Sequence, residues 1–208
     1  MVKTKIAVFI SGGGTNLQAL IDAQRDGILR SGRIVLVISS NSIAYGLKRA
    51  KEAGIDAFAV TRRECGSQEA FEAEIRAKLE EYDIELIVLA GFLNILSEDF
   101  VRRYPGRIIN VHPSLIPAFC GRGFYGIRVH EAALACGVKV TGATVHFVNE
   151  IPDGGEIIRQ KAVSVKKCDT PKTLQKRVMT QAEWVILPEA AEEVSKAIAE
   201  RKERNEYI

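Results

Sequence analysis

Lys5-Ile-Ala-Val-Phe-Ile10, running into Ser11-Gly-Gly-Gly-Thr-Asn16 and then Leu17, Leu20 and Ile21, decides the fold. The first run is β-branched and aromatic, the glycines form a turn, and the apolar residues after them recur at helical spacing, so the segment reads strand, glycine turn, helix. The alternation continues outward. Ile34-Val-Leu-Val-Ile38 reads as a strand, Ala44 to Ala53 as a helix stopped by Gly54, Ala57-Phe-Ala-Val60 as a strand, and about Ser67 to Tyr82 as a helix. Leu86-Ile-Val-Leu-Ala90 is apolar at every position, which suits a central parallel strand covered on both faces, with Ile108-Ile-Asn-Val111 as its neighbour. These runs predict an α/β fold: a doubly wound, mostly parallel sheet of Rossmann-like type with helices on both faces.

After Gly137 the pattern changes. Val140 to Val148 and Glu156 to Val165 are strand-like runs separated by Pro152-Asp-Gly-Gly155, and they extend the sheet around a turn or short loop. The tail from Thr173 to Arg201 reads as helix, with Leu174, Val178, Val185 and Ile186 as its buried stripe and Pro188 as an interruption. At 208 residues, without a linker or composition shift, the chain reads as a single domain over 1–208.

Composition narrows the partners. The 29 basic and 26 acidic residues are scattered, so no basic stripe points to nucleic acid. Cys65, Cys120, Cys136 and Cys168 lie far apart, with no C-x-x-C pair and no histidine at ligand spacing, so neither a metal site nor a disulfide framework is expected. Met1-Val-Lys-Thr-Lys5 carries no apolar signal core, and no stretch of ~18 apolar residues is present to span a membrane. The expectation is a cytoplasmic protein without a membrane partner.

The glycine turn sits where backbone N–H groups and the positive end of a helix can hold a phosphate. A dinucleotide site is disfavoured, because the fingerprint breaks at Leu17 and the second strand ends in Ser39-Ser-Asn41 instead of an acidic residue. A P-loop fails as well, for want of Gly-Lys-Ser/Thr. What remains is a site for one phosphate group, with side-chain donors from Thr15 and Asn16, or a glycine turn that binds nothing.

Asn110-Val-His-Pro-Ser114 falls at the carboxyl end of a central strand, where open α/β sheets place their ligand crevice. Asn110 and His112 point to the same side of an extended strand. An amide donor and an imidazole converging on one group suit acyl transfer, in which an oxyanion develops and a proton moves. Asp153 reads first as a turn residue and second, should its loop lie beside His112, as a carboxylate favouring the imidazolium. His130 reads as a core histidine. His146 is either a hydrogen-bond partner behind the site or plain core, and stays outside the catalytic set.

Taken together, Ser11–Asn16, Ala90-Gly-Phe-Leu-Asn-Ile-Leu96, Asn110-Val-His-Pro-Ser-Leu-Ile-Pro117, Gly142-Ala-Thr-Val-His-Phe-Val148 and Asp153-Gly-Gly155 resemble the phosphoribosylglycinamide formyltransferases, folate-dependent enzymes of purine synthesis. The resemblance spans nearly the whole chain. It implies transfer of a formyl group from 10-formyltetrahydrofolate to the amine of phosphoribosylglycinamide without a metal, by an enzyme that is a monomer or a homodimer. By motif, Asn110 bonds the formyl oxygen, His112 donates a proton and stabilises the oxyanion, and Asp153 favours its imidazolium.

The same resemblance assigns Gly13, Gly14, Thr15 and Asn16 to the substrate phosphate, Glu183 to the ribonucleotide, and Leu93, Asn94, Ile95, Leu96, Asn110 and Gln68 to the folate. The N-terminal half, about 1–100, then reads as phosphate-binding and the C-terminal half, about 101–208, as folate-binding and catalytic. Three departures from the family pattern stand out. Arg177-Val-Met-Thr-Gln-Ala-Glu-Trp184 is shifted by one residue around Glu183, Asn94 replaces a frequent arginine, and Gln68 replaces a frequent basic residue, leaving Arg122 to compensate at the folate tail.

Formyltetrahydrofolate hydrolases and methionyl-tRNA formyltransferases share the Asn-x-His-Pro-Ser chemistry but carry an added domain. Neither addition is expected in a chain that starts close to its first strand and ends soon after one helical tail. A non-catalytic nucleotide-binding module on the same scaffold is the alternative from another class.

Overall fold

The computed structural model describes residues 2–205. β1 (Thr4–Ile10), α1 (Thr15–Arg25), β2 (Gly32–Ser39), α2 (Tyr45–Glu52), β3 (Asp56–Ala59), α3 (Arg62–Cys65), α4 (Gln68–Glu81) and β4 (Leu86–Leu89) make up the first part of the chain. α5 (Glu98–Arg102), β5 (Ile108–His112), α6 (Ile127–Cys136), β6 (Val140–Phe147), β7 (Ile157–Ser164), α7 (Pro171–Val178) and α8 (Trp184–Asn205) follow, with a π-helical segment, Met179–Glu183, between α7 and α8.

The strands form one sheet in the order β3-β2-β1-β4-β5-β6-β7. β1 to β5 run parallel, and β6 and β7 add antiparallel. The doubly wound, mostly parallel sheet is the one the alternation of runs predicts, and β4 lies at its centre with β5 beside it. Along β1 the side chains alternate between two cores: Ile6, Val8 and Ile10 join α1, α7 and α8 on one face, while Ala7 and Phe9 join α4 and α5 on the other. That period of two, apolar on both faces, is why β1 from Ile6 to Ile10 and all of β4 are apolar at every position.

The chain leaves β1 toward β2 and β3, then crosses back to place β4 on the other flank of β1. The loops that follow β1 and β4 therefore part in opposite directions, opening a crevice at the carboxyl ends of these strands. β5 ends beside it.

Two short helices, α3 and α5, escape periodicity because they span too few residues to show a face. Each is started by a hydroxyl cap, Thr61 Oγ1 accepting from Glu64 N–H at 3.2 Å and Ser97 Oγ from Phe100 N–H at 3.1 Å. The tail also differs from a single helix. It divides into α7, the π segment and α8, with Pro188 held inside α8.

Candidate active site

The carboxyl end of β5 carries Asn110 and His112 on the face that Ile108 shares, opposite Ile109 and Val111, which face the other core. Both line a cleft of about 410 Å³. The loop after β4 supplies one wall through Gly91–Ile95, the loop after β5 another through Gly121–Gly126, and Pro152 and Asp153 close it from the β6–β7 connection. A cleft of similar size, about 450 Å³, opens among Arg76, Arg103 and Arg107. It lies at the amino ends of β4 and β5, away from the crevice, and Arg103 there is already paired with Asp99 while Arg107 stacks on Tyr104.

Asp153 stands beside His112, so the loop position on which its role depends is met. Its Oδ2 is 3.5 Å from His112 Nδ1, and its Oδ1 is 3.7 Å from His146 Nε2. Oδ2 also accepts the Gly121 N–H at 2.8 Å, which ties the β5 loop to the β6–β7 turn. Burial pushes this carboxyl upward, but the two imidazoles and the Gly121 N–H outweigh it and hold the group below its ordinary value. The backbone of Asp153 is left-handed at φ 56°, a conformation that Asp tolerates better than most residues.

His112 is 4% exposed. Its Nε2 lies 2.9 Å from the Phe119 carbonyl, which can only accept, so Nε2 carries a proton, while Nδ1 faces the carboxylate. On the neighbouring strand His146 takes the opposite arrangement. Its Nδ1 donates to the Phe147 carbonyl at 2.8 Å, and its Nε2 receives the Asn110 amide at 3.2 Å. His130 is the core histidine its sequence context suggests, buried with neither nitrogen partnered and kept neutral because burial, with a smaller contribution from His112, depresses its pKa to about 4. Cys120, in the same loop, gives its proton to the Pro117 carbonyl at 3.2 Å, and burial followed by the charge of Asp153 raises its thiol, so a thiolate nucleophile is disfavoured.

Leu93 and Ile95 point outward at 60% and 64% exposure and present apolar surface at the cleft mouth. Asn94 is half-buried between this cleft and a smaller hollow that Leu96 also lines. Gln68 stands behind this loop, outside the cleft wall. Its amide is committed to Glu72 at 2.6 Å and to the Ile95 carbonyl at 3.2 Å. Glu72, 3% exposed, also accepts the Ser97 N–H at 2.7 Å and the Ser97 hydroxyl at 2.5 Å, so three donors satisfy one buried carboxylate and pin the loop to α4. Arg122 lies exposed in the cleft wall and makes no ion pair among the described residues.

The glycine turn forms a second station. Gly14 caps α1 in the left-handed conformation, with φ 69°, and no side chain caps the first N–H groups. The Gly12 carbonyl accepts from Gly46 N–H at 3.1 Å and the Gly13 carbonyl from Arg49 Nε at 2.9 Å, so the carbonyls are tied back toward α2. Uncapped N–H groups at a helix start form an anion site. Asn16, the second residue of α1, donates to Glu183 at 2.7 Å, which brings together residues from the two halves of the chain. Burial pushes the Glu183 carboxyl up to about 7, with the Asn16 bond pulling the other way.

Glu183 ends the π segment, at the place where its surroundings are shifted by one residue. A π turn admits one extra residue into a continuous helix, so α8 re-enters its normal phase with Glu183 aimed at α1. Ser11 Oγ accepts the Leu93 N–H at 2.9 Å and links the glycine turn to the β4 loop. One contributor, Glu72, was missed in the sequence. Glu72 had one signal, an acidic residue four positions from Gln68 and flanked by the buried Phe71 and Ile75 of α4. Of the two readings open for His146, the structure takes the hydrogen-bond partner, because the strand register sets it opposite Asn110.

Among the described residues no group of three or more His, Cys, Asp or Glu side chains is arranged to hold a metal, and no helix is long and apolar enough to cross a membrane. The formyl transferase family matches residues 4–191. The trifunctional purine biosynthetic protein adenosine-3 of Gallus gallus is 45% identical over 193 residues, covering 93% of this chain, which spans only 18% of that relative's length. The chloroplastic phosphoribosylglycinamide formyltransferase of Arabidopsis thaliana is 40% identical over 179 residues, 85% of this chain and 61% of that one. The crystal structure of glycinamide ribonucleotide transformylase 1 from Symbiobacterium toebii superposes with a TM-score of 0.87 at 41% identity, covering 94% of this chain and 89% of the other.

Proposed function

The chain belongs to the formyl transferase family, among its phosphoribosylglycinamide formyltransferases, and on that premise we propose that it moves the formyl group of 10-formyltetrahydrofolate to the amine of phosphoribosylglycinamide. The observation that carries the reading is the convergence of Asn110, His112 and Asp153 on one cleft at the carboxyl ends of β4 and β5. The acceptor amine attacks the formyl carbon, forming a C–N bond and placing negative charge on the formyl oxygen. Asn110 N–H and the His112 imidazole stabilise that oxyanion. The bond from carbon to N10 of the folate then breaks, the acceptor nitrogen loses a proton and N10 gains one, with His112 as the proton carrier.

Asp153 supports this role by facing Nδ1, where a carboxylate fixes the orientation of the ring. The Nε2–H that His112 gives to Phe119 must be exchanged for the substrate oxygen, so the Phe119 segment of the loop shifts when substrate engages. Gly13, Gly14, Thr15 and Asn16 receive the phosphate at the uncapped start of α1, and Glu183 meets the ribonucleotide from the buried side. Leu93 through Leu96 receive the folate, and Gln68 acts on it indirectly, by holding this loop.

A spectrophotometric assay with phosphoribosylglycinamide and 10-formyltetrahydrofolate tests the proposal. Tetrahydrofolate release that requires the ribonucleotide is the expected result. Release without it would identify a hydrolase instead, and none from folded protein would sink the enzyme reading.

A further inference from the structure

We infer that His146 is a positioning residue that fixes the orientation of the Asn110 amide; the inference rests on the formyl-transfer reading above. β6 faces β5 antiparallel with His146 directly opposite Asn110, and the register between β6 and β7 shifts at Val145/His146, a local irregularity of the kind that re-aims a side chain. The imidazole is 1% exposed, so water is not available to replace its partners.

The tautomer follows from donor and acceptor chemistry. Nδ1 lies 2.8 Å from the Phe147 carbonyl, which cannot donate, so Nδ1 carries the proton of the neutral ring. Nε2 then presents a lone pair, and the Asn110 amide nitrogen 3.2 Å away gives it one N–H. An amide nitrogen has two protons in one plane. With the first committed to His146, the second is held at a set angle for the cleft, where the formyl oxygen develops its charge.

A free asparagine amide turns readily about its last torsion, because that torsion has broad, roughly two-fold preferences. Turned over, it would set its carbonyl oxygen against the developing oxyanion and convert attraction into repulsion. His146 removes that alternative, since the carbonyl oxygen cannot bond a lone pair. The same ring lies 3.7 Å from Asp153 Oδ1, so one buried imidazole sits behind both the oxyanion donor and the carboxylate that faces His112.

The decisive test is a kinetic double-mutant cycle with His146→Leu and Asn110→Ala in the full chain. His146→Leu is expected to lower kcat by roughly 10- to 100-fold with both KM values nearly unchanged, a smaller loss than removal of an oxyanion donor, about 10²- to 10³-fold. In the Asn110→Ala background the same substitution is expected to cost almost nothing further. His146→Gln, which returns an acceptor oxygen, should restore much of kcat and serves as the test if His146→Leu does not fold.

Nitrogen-15 imidazole spectra of the wild type provide a readout independent of turnover, with His146 protonated at Nδ1 and His112 at Nε2. Additive losses in the cycle, or an Nε2-protonated His146, would overturn the positioning role alone. An undiminished kcat in Asn110→Ala would remove the underlying reading, and the inference with it.

Discussion

Asn16 donates to Glu183 at 2.7 Å, joining the first turn of α1 to a residue 167 positions later in the chain. Among the described residues no cation pairs with Glu183, and burial raises its carboxyl to about 7 from an ordinary 4.5. A carboxyl raised on folding binds more protons in the folded than in the unfolded state, so its contribution is fully present below about 4.5 and is lost as pH rises through about 7. The unliganded protein should therefore lose on the order of 3 kcal/mol between pH 4.5 and 8 from this group. In Glu183→Gln that component should be absent. Urea unfolding across this pH range checks it, and an unchanged slope in the variant would refute the assignment.

His112→Ala and Asp153→Asn should each lower kcat by roughly 10²- to 10⁴-fold, the range associated with loss of a positioned proton carrier. The fold should persist in Asp153→Asn because asparagine shares the tolerance for the left-handed backbone at φ 56°. Steady-state kinetics together with circular dichroism would decide the matter. Near-wild-type turnover in either variant would overturn the mechanism.

Glu72 is expected to act on folate binding from behind the loop. Glu72→Ala strips Ser97 N–H, the Ser97 hydroxyl and Gln68 of their shared acceptor. Leaving such donors unpaired should cost about 1–3 kcal/mol of stability. The KM for 10-formyltetrahydrofolate should rise several-fold while that for the ribonucleotide holds. Equal increases in both would mean that the staple is not specific to this loop.

Arg122 is the cation in the cleft wall that can meet the anionic glutamyl tail, given Asn94 and Gln68 where basic residues are frequent. Arg122→Ala should weaken binding of polyglutamylated folate more than that of a folate lacking the tail, and the difference should shrink in high salt, which screens an exposed pair. Equal affinities of wild type and variant for the polyglutamate would count against this role.

Much of the architecture was legible because local rules and the global fold agree. The run from Lys5 to Asn16 specified strand, turn and helix, and the all-apolar Leu86–Ala90 announced a strand covered on both faces, which β4 is. Asn110 and His112 could be paired in advance, since two residues apart on a strand is enough to share a face. α3 and α5 were out of reach because a single turn has no periodicity to read.

The one-residue shift around Glu183 was visible as an anomaly. The π turn found there was not, because a π turn is chosen by what the helix must face on both sides of it.

By itself, then, the sequence determined the order of elements, the two-sided burial of the central strands and the chemical groups at the end of β5, all properties carried by residues near one another in the chain. Tertiary structure alone decided the partnerships: Asp153 beside His112, His146 behind Asn110, Glu72 under the β4 loop and Glu183 against Asn16. The physical reason is that a hydrogen bond or ion pair depends on distances of about 3 Å. Strand register, the β5–β6 antiparallel pairing and one π turn set those distances, and none of them is encoded in the spacing of any single motif.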